Sequence, residues 1–418
     1  MASKERLFNP TVLLIIIMSS LWGSSAALDT LKQGDVLNSS QYLVSAKWNF
    51  TLGFFKPTSY YDENNINNKS IYLGIWYTND ENNRSVWIGN RDRPISSDSR
   101  GFLTLDHLGK LMKKFDGGDP IVIYSGTGGA ETKNTSVTLL NDGNLVVSQV
   151  NSNGSIGKRL WESFDDPTDT LLPGMKLGVN HKTGCNWSLT SWLAQDDPAP
   201  GASTLEWEPK TRKLVIKRRG VPYWSSGLYQ STLKKVFLFE YIDPTKGQDY
   251  IINTDAEGQY FTNSLDPQFE SLIDMEDRGR SVWLLQYWGP IMDRNEGITD
   301  FDFCYGYGMD AEGCERWNQP KCRSHKQNFQ VRSGGFANSQ GLGYIDSITP
   351  ADDTANLSSS DCRAYCWNDR DCLGYGGDSY GPGCYIWEGK LQFVQDNSGS
   401  SPRHYVISTE PSNKGKKK

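Results

Sequence analysis

Short apolar stretches alternate with turn residues along the first part of the chain. These stretches have the length and the aromatic and β-branched content of strands. They are Tyr42–Val44, Phe50–Phe55, Tyr72–Tyr77, Ser85–Ile88, Phe102–Leu105, Ile121–Tyr124 and Asn144–Val147. Regular short strands separated by turns predict a β-sandwich, barrel or prism, and no long helical period competes with them.

The same pattern returns after residue 155 and predicts a second β-domain. Its candidate strands are Leu214–Lys217, Val236–Phe239, Tyr250–Ile252, Tyr260–Thr262 and Val282–Leu285. A chain of 418 residues is also long for one compact domain. Beyond this region, a glycine-rich stretch at Tyr305–Gly308 opens a cysteine-containing segment, and a further unit holds the last four cysteines.

The N-terminus has the three parts of a secretory signal peptide. Lys4 and Arg6 precede the apolar run Val12–Met18, and the small residues Ser24–Ala27 follow it. The run is shorter than the roughly 20 residues that span a bilayer. We expect residues 1–27 to be removed and the chain to be secreted or to lie on the extracellular face of the plasma membrane.

Secretion makes every Asn-x-Ser/Thr sequence a candidate N-glycosylation site and a predicted surface position. These sites are Asn38, Asn49, Asn68, Asn83, Asn134, Asn153, Asn186 and Asn356. At the other end, residues 409–418 finish in a lysine cluster. Such clusters are typical of the cytoplasmic flank of a membrane span or of an exposed tail.

The 8 cysteines favour disulfides in a secreted chain. Zinc is the alternative, but there is no Cys-x-x-Cys pair and no adjacent histidine pattern, so we expect no metal and no cofactor. We expect the pairs Cys362–Cys384 and Cys366–Cys372 to close one small domain. The pairing of the remaining four stays open: Cys185, Cys304, Cys314 and Cys322.

Charge and motifs exclude two classes of function. The 49 acidic and 43 basic residues leave a net charge of −6, without the basic excess of nucleic-acid-binding proteins. The nucleotide loop, catalytic loop and metal-binding motif of protein kinases are absent from the sequence. The chain is therefore expected not to be an enzyme.

Longer segments resemble a known family. The N-terminal ones are similar to bulb-type (G-type) lectins, the central ones to S-locus glycoproteins and S-domain receptor kinases, and the last to PAN/apple modules. The lectin-like segments are Leu28–Leu31, Leu43–Ala46, Phe50–Phe55, Tyr72–Tyr77 and Val86–Pro94. The segments similar to S-locus glycoproteins are Trp161–Gly178, Leu189–Trp192 and Asp196–Gly201. The segment similar to PAN/apple modules is Gly383–Leu391.

The resemblance implies the extracellular region of a plant S-domain receptor-like serine/threonine kinase. The fold it implies is mainly β, with two tandem bulb-lectin-like β-prism domains (28–150 and 151–290), a degenerate EGF-like linker (291–328) and a PAN/apple domain (329–408). It also implies sensing of a small peptide, lipid or glycan ligand and pairing with itself or related receptors. Two alternatives stay open: a secreted decoy like the S-locus glycoproteins and a mannose-binding defence lectin.

Bulb lectins bind mannose with a Gln-x-Asp-x-Asn-x-Val-x-Tyr strand, whose alternate side chains face the sugar. The first aligned stretch, Asp106–Lys114, places Asp106, Leu108, Lys110, Met112 and Lys114 at the motif positions, and Leu108 cannot replace a carboxylate acceptor. The second stretch retains Asp142, Asn144 and Val146, which are the candidate sugar-binding residues. Because Asp-Gly is a strong hairpin signal, we favour a turn here over a sugar site.

Three further features have competing interpretations. Asp165, Asp166 and Asp169 could form a glycosidase pair, but aspartates in a Pro/Thr-rich loop more often cap turns, and we assign no catalytic residue. The basic run from Lys210 to Arg219 could meet an acidic partner, and we favour a solvated hairpin face. The linker holds an odd number of cysteines, so we also hypothesise that Cys185 pairs with one of them.

Overall fold

The computed structural model describes residues 28–57, 70–80, 84–126, 134–231, 237–239, 249–254, 258–264, 282–293, 296–297, 304, 313–315, 319–338, 357–376, 383–398 and 401–409. The predicted signal peptide, Asn68, Asn83, Asn356 and the lysine cluster lie outside these residues. The regular secondary structure of the described part is almost entirely antiparallel β-sheet, so the mainly β prediction is confirmed. No helix among the described residues is long and apolar enough to cross a membrane.

The first thirteen strands form three antiparallel sheets of a prism. The strands are β1 (Thr30–Lys32), β2 (Val36–Asn38), β3 (Leu43–Val44), β4 (Phe50–Phe55), β5 (Ser70–Tyr77), β6 (Ser85–Gly89), β7 (Ile95–Ser96), β8 (Gly101–Leu105), β9 (Leu111–Phe115), β10 (Ile121–Tyr124), β11 (Thr135–Leu139), β12 (Leu145–Val150) and β13 (Ile156–Glu162). The sheets have the orders β1-β11-β12-β13, β10-β9-β8-β2 and β3-β4-β5-β6, with β7 beside β5.

Each sheet turns one apolar face inward, and the three faces share one core. Leu31, Leu52 and Leu103 come from different sheets, and each is 1% exposed or less. At roughly 25 cal/mol per Å² of apolar surface, burying one leucine contributes about 2 kcal/mol. The core is therefore the main source of this unit's stability.

The central strands repeat the three-sheet arrangement. They are β14 (Thr170–Leu171), β15 (Lys176–Asn180), β16 (Asn186–Trp187), β17 (Leu189–Ala194), β18 (Asp197–Glu208), β19 (Lys213–Arg218), β20 (Val221–Ser225), β21 (Tyr229–Ser231), β22 (Phe237–Phe239), β23 (Asp249–Thr254), β24 (Gly258–Ser264), β25 (Trp283–Leu285), β26 (Ile291–Asp293) and β27 (Glu296–Gly297). Their four-stranded sheets are β14-β25-β26-β27, β16-β15-β24-β23 and β17-β18-β19-β20, and β21 pairs with β22.

The C-terminal unit packs one helix against a five-stranded sheet. Its elements are β28 (Asn328–Ala337), α1 (Ser359–Asn368), β29 (Cys372–Gly376), β30 (Ile386–Glu388), β31 (Gln392–Gln395) and β32 (Arg403–Ser408). Helix α1 begins with a capping box, in which Ser358 and Asp361 accept hydrogen bonds from each other's backbone amides. The disulfides Cys362–Cys384 and Cys366–Cys372 tie this helix to the sheet, in the pairing named from the sequence.

The linker cysteines correct one hypothesis. Cys304 pairs with Cys314, while Cys185 and Cys322 are free thiols, so the bridge from Cys185 is wrong. Backbone pairing holds residues 313–315 beside β20: Gly313 accepts a hydrogen bond from the amide of Ser225 at 2.8 Å, and the Glu315 amide donates to Tyr223 at 2.9 Å.

The basic run departs in part from its favoured interpretation. Lys210 and Arg212 are exposed as expected, but Arg218 and Arg219 donate to the carboxylate of Asp361 at 2.7 and 2.8 Å, and Arg218 is largely buried. Asp361 is 5% exposed and belongs to α1, 143 residues along the chain from Arg218. The acidic partner of the run is therefore inside the same molecule.

A third arginine, Arg323, binds the C-terminal end of α1. Arg323 donates to the backbone carbonyls of Trp367 at 3.0 Å and Cys366 at 2.8 Å, and also to those of Asp369 and Cys372. The last carbonyls of a helix lack intrahelical donors and carry partial negative charge. The guanidinium satisfies them and joins the linker to the C-terminal unit.

Candidate functional site

A cavity of about 210 Å³ lies where the end of the first prism meets the start of the second. Its polar wall consists of Asp142, Asn144, Arg159, Glu162, Asp165 and Lys176. Phe164 and Gly174 complete the lining. The wall thus includes two of the three candidate sugar-binding residues, together with charged residues from β13, from the 3₁₀ turn Ser163–Asp165 and from β15.

Asn144 uses its side chain to hold the cavity wall together. Its Nδ2 donates to Glu162 Oε2 at 2.6 Å, and its Oδ1 accepts from Ser163 Oγ at 3.2 Å and from the Phe164 amide at 3.3 Å. The residue is 2% exposed. Both polar atoms are therefore engaged within the protein and would have to exchange these bonds for a sugar hydroxyl.

Asp142 lies in the turn that joins β11 to β12. Its Oδ1 accepts from the Asn144 amide at 3.0 Å, and the Gly143 amide donates to Leu140 at 3.1 Å. Gly143 has φ +89°, which favours glycine, and a Cβ there would lie 2.9 Å from the Phe50 ring. Val146, the third candidate, is buried in β12.

Residues of the other bulb-lectin stretch, Asp106–Lys114, also have structural roles. Asp106 Oδ1 accepts from the amides of Leu108 and Lys110 at 2.9 and 2.8 Å, which makes a turn before β9. Lys113 is fully buried, and its Nζ donates to the carbonyls of Arg93 at 2.8 Å and Gly89 at 3.3 Å. Burial lowers the pKa of Lys113 to about 8, against the opposing attraction of Asp92.

Asp165 and Lys176 place one carboxylate and one ammonium group in the cavity wall. Asp165 Oδ1 accepts from Trp187 Nε1 at 3.0 Å. Burial, followed by repulsion from Glu162, raises the pKa of Asp165 above its usual range. The Lys176 ammonium lies over two rings, 5.0 Å from the centroid of Trp187 and 4.9 Å from that of Tyr260.

The neighbouring aspartates have structural partners. The carbonyl of Asp166 accepts from Trp87 Nε1 and its carboxylate from Trp161 Nε1, which joins β6 to β13. Asp169 is 3% exposed, and burial raises its pKa, against the attraction of Arg91. Arg91 is itself buried and donates to the Thr190 carbonyl at 2.7 Å. These contacts agree with turn-forming roles rather than with a hydrolytic pair.

The described glycosylation candidates differ in accessibility. Asn134, Asn153 and Asn186 are exposed, whereas Asn38 and Asn49 are half-buried. Asn49 Nδ2, the atom to which a glycan would be attached, donates to the Asn141 carbonyl at 3.0 Å. Asn186 immediately precedes Trp187 and lies near the cavity.

Sequence reasoning identified Asp142 and Asn144 but missed the rest of the cavity wall. Arg159, Glu162 and Lys176 follow no motif, and their convergence depends on how β13 and β15 are placed. Asp165 was expected to cap a turn, with a catalytic carboxylate as the alternative, and not to line a cavity. Cys185 also lies here, with its Sγ 3.9 Å from the Asp165 carbonyl, and burial raises the pKa of this thiol.

Comparisons with known proteins bear on the family resemblance. The D-mannose binding lectin model matches residues 85–193. Two Arabidopsis thaliana proteins, the G-type lectin S-receptor-like serine/threonine-protein kinases At1g67520 and CES101, are 34% and 33% identical over 94% and 92% of this chain. The S-locus-specific glycoprotein S6 of Brassica oleracea is 26% identical over 96% of both chains. These relatives support the resemblance to the S-domain ectodomains of receptor-like kinases and to the S-locus glycoproteins.

The chain spans about half the length of the receptor kinases it matches, 45% of one and 46% of the other. The matching part is the part that the S-locus glycoprotein also contains, and that protein is not named as a kinase. This coverage is consistent with the expectation that the kinase domain lies outside the matched part. The predicted extracellular location is confirmed, by relatives named as receptors and as glycoproteins.

Proposed function

We propose that this chain is the extracellular recognition region of a receptor-like serine/threonine kinase, that it senses a small extracellular ligand and that it self-associates. One observation carries the proposal: 94% of the chain matches less than half of a receptor kinase. Ligand sensing is supported by the names of these relatives, which are receptor-like kinases.

The geometry favours recognition outside the mannose-binding strand. Asn144 is bonded to Glu162, Ser163 and Phe164, and Val146 is buried, so these two of the three retained motif positions act within the fold. The prism then serves as a rigid scaffold. The cavity described above, which we call the junction cavity because it lies between the two prisms, is a candidate recognition surface. Concave sites with a few convergent polar groups are typical of ligand binding.

A binding and assembly experiment tests the proposal. The fluorescently labelled, secreted chain is titrated on arrays of glycans, peptides and lipids, and its self-association is followed by sedimentation velocity. We expect concentration-dependent dimers and saturable binding that methyl α-mannoside does not displace. A chain that stays monomeric at every concentration and binds no array component contradicts the proposal.

A mannose-binding defence lectin is the second candidate, and the exposed carboxylate of Asp142 at the cavity rim is the observation that favours it. If it is correct, terminal mannose is the bound class, and Asp142→Ala abolishes that binding. Asp98→Ala is the matched control, since Asp98 is an exposed aspartate that does not line the cavity. A secreted decoy is distinguished by adding the free chain to cells that carry a full-length relative, where a decoy would suppress signalling.

A further inference from the structure

The junction cavity carries charged groups that the fold leaves partly unused. Glu162 Oε2 is paired with Arg159 Nη1 at 2.6 Å, so these two charges largely compensate each other. Asp165 and Asp142 each have one oxygen bonded within the protein, to Trp187 Nε1 and to the Asn144 amide. Within the described part of the chain, their second oxygens have no hydrogen-bond partner.

The Lys176 ammonium in the same cavity attracts Asp165 but forms no ion pair with it. Lys176 forms no ion pair with any described carboxylate, and its ammonium is held over the Trp187 and Tyr260 rings. After the Arg159–Glu162 pair is set aside, two carboxylates face one ammonium group. Burial, followed by repulsion from Glu162, raises the pKa of Asp165 overall, against the opposing effects of the Trp187 hydrogen bond and the Lys176 charge.

The size of the cavity limits what can enter. Pockets for drug-sized ligands measure about 300–1,000 Å³, and this cavity of about 210 Å³ is smaller. One extended side chain fits that space better than an oligosaccharide or a lipid tail. Free carboxylate oxygens on separate segments, the 140–144 turn and the 3₁₀ turn, form strong charge-assisted hydrogen bonds with N–H donors.

We propose that the junction cavity binds one cationic side chain, an arginine or a lysine, of an extracellular peptide or protein ligand. Asp165 and Asp142 accept its N–H groups, and Phe164 lines the apolar stem. The inference rests on the recognition function proposed above and adds the chemistry of the recognised group.

Small probes test the cavity without knowledge of the natural ligand. The secreted chain is titrated calorimetrically with N-acetyl-arginine amide, N-acetyl-lysine amide and N-acetyl-citrulline amide, and with methyl α-mannoside. Citrulline has nearly the shape of arginine without its charge. We expect the arginine probe to bind at least about tenfold more tightly than the citrulline probe, since charge-assisted hydrogen bonds are roughly twice as strong as neutral ones.

Variants separate the cavity from general surface charge. Asp165→Asn keeps an acceptor for Trp187 and is expected to weaken the arginine probe by about tenfold without lowering the melting temperature. Asp166→Asn is the matched control, because Asp166 is the adjacent, exposed aspartate, bonded to Trp161 outside the cavity. Lys176→Met removes the opposing charge and is expected to strengthen arginine binding.

Equal affinities for arginine and citrulline overturn the inference, as does an Asp165→Asn variant that binds like the parent. Displacement of the arginine probe by methyl α-mannoside also overturns it and assigns the cavity to a sugar. The proposed function survives these failures if the array and sedimentation experiments succeed. It fails separately if they show neither a ligand nor self-association.

Discussion

Asp361 joins the capping box of helix α1 to two arginines of the central unit, and its replacement is expected to loosen the C-terminal unit. The carboxylate accepts from Arg218 Nη1 at 2.7 Å and from Arg219 Nη2 at 2.8 Å. It also accepts from the Ser358 amide at 3.1 Å. The side-chain exposures are 5% for Asp361, 13% for Arg218 and 45% for Arg219.

The magnitude follows from these exposures. Breaking a buried ion pair on one side costs about 3–5 kcal/mol, and this applies to Arg218, which would lose its anion in a nearly buried position. Arg219 is half in solvent, so its pair is worth about 1 kcal/mol or less. Asp361→Asn keeps a capping acceptor and should cost about 3 kcal/mol, whereas Asp361→Ala should cost about 1 kcal/mol more.

Hydrogen exchange measured by mass spectrometry gives the free energy of opening of α1 directly. A double-mutant cycle of Asp361→Asn with Arg218→Met should give a coupling of about 2 kcal/mol, and the cycle with Arg219→Met about 1 kcal/mol or less. A coupling below about 0.5 kcal/mol for the Arg218 pair would refute the reasoning, because the contact would then carry no net energy.

The same pair has a defined pH dependence. Burial alone would raise the pKa of Asp361, but the hydrogen bonds and charges of Arg219, Ser358 and Arg218 lower it overall. The stabilisation is therefore present above the unfolded carboxyl pKa of about 3.9 and is lost as pH falls through the lower folded value. The stability difference between the parent and Asp361→Asn should shrink in that acidic window.

Three further perturbations have expected outcomes. The pKa of Lys113 is about 8 in the folded protein, against an ordinary value of 10.5. The free energy of unfolding of the parent should therefore rise with pH between these two values. Urea unfolding of the Lys113→Met variant should show no such rise. Arg323→Gln should expose the last amides of α1 to hydrogen exchange and cost about 3 kcal/mol, and unchanged protection would contradict this. Thiol alkylation should label Cys185 and Cys322 alone, and Cys185→Ser should leave the melting temperature unchanged.

Much of the first prism could be predicted from the sequence because its strands depend on local patterns. Phe50–Phe55 was predicted with the observed bounds, and Tyr72–Tyr77 differs from β5 only at its start. The Asp142–Gly143 turn follows from the positive φ that glycine accepts. Such features require no knowledge of distant segments.

The features that the sequence did not predict depend on contacts between distant segments of the chain. Arg218 looked solvated because its partner Asp361 lies 143 residues away. Lys113 would be expected on the surface because lysine is usually exposed. In the structure its ammonium is buried and donates to backbone carbonyls around Gly89. The cavity was missed for the same reason, since charged residues at the end of β13 and the start of β15 converge only after the two prisms pack.

The central claim is that the chain recognises an extracellular ligand other than mannose, through the junction cavity. A combined array of mannose-terminated glycans and of arginine-containing peptides, read with the secreted chain and with Asp142→Ala and Asp165→Asn, tests this claim most directly. The account predicts binding to peptides, lost in Asp165→Asn, and none to mannose. Binding to mannose alone, abolished by Asp142→Ala and unaffected by Asp165→Asn, would contradict it.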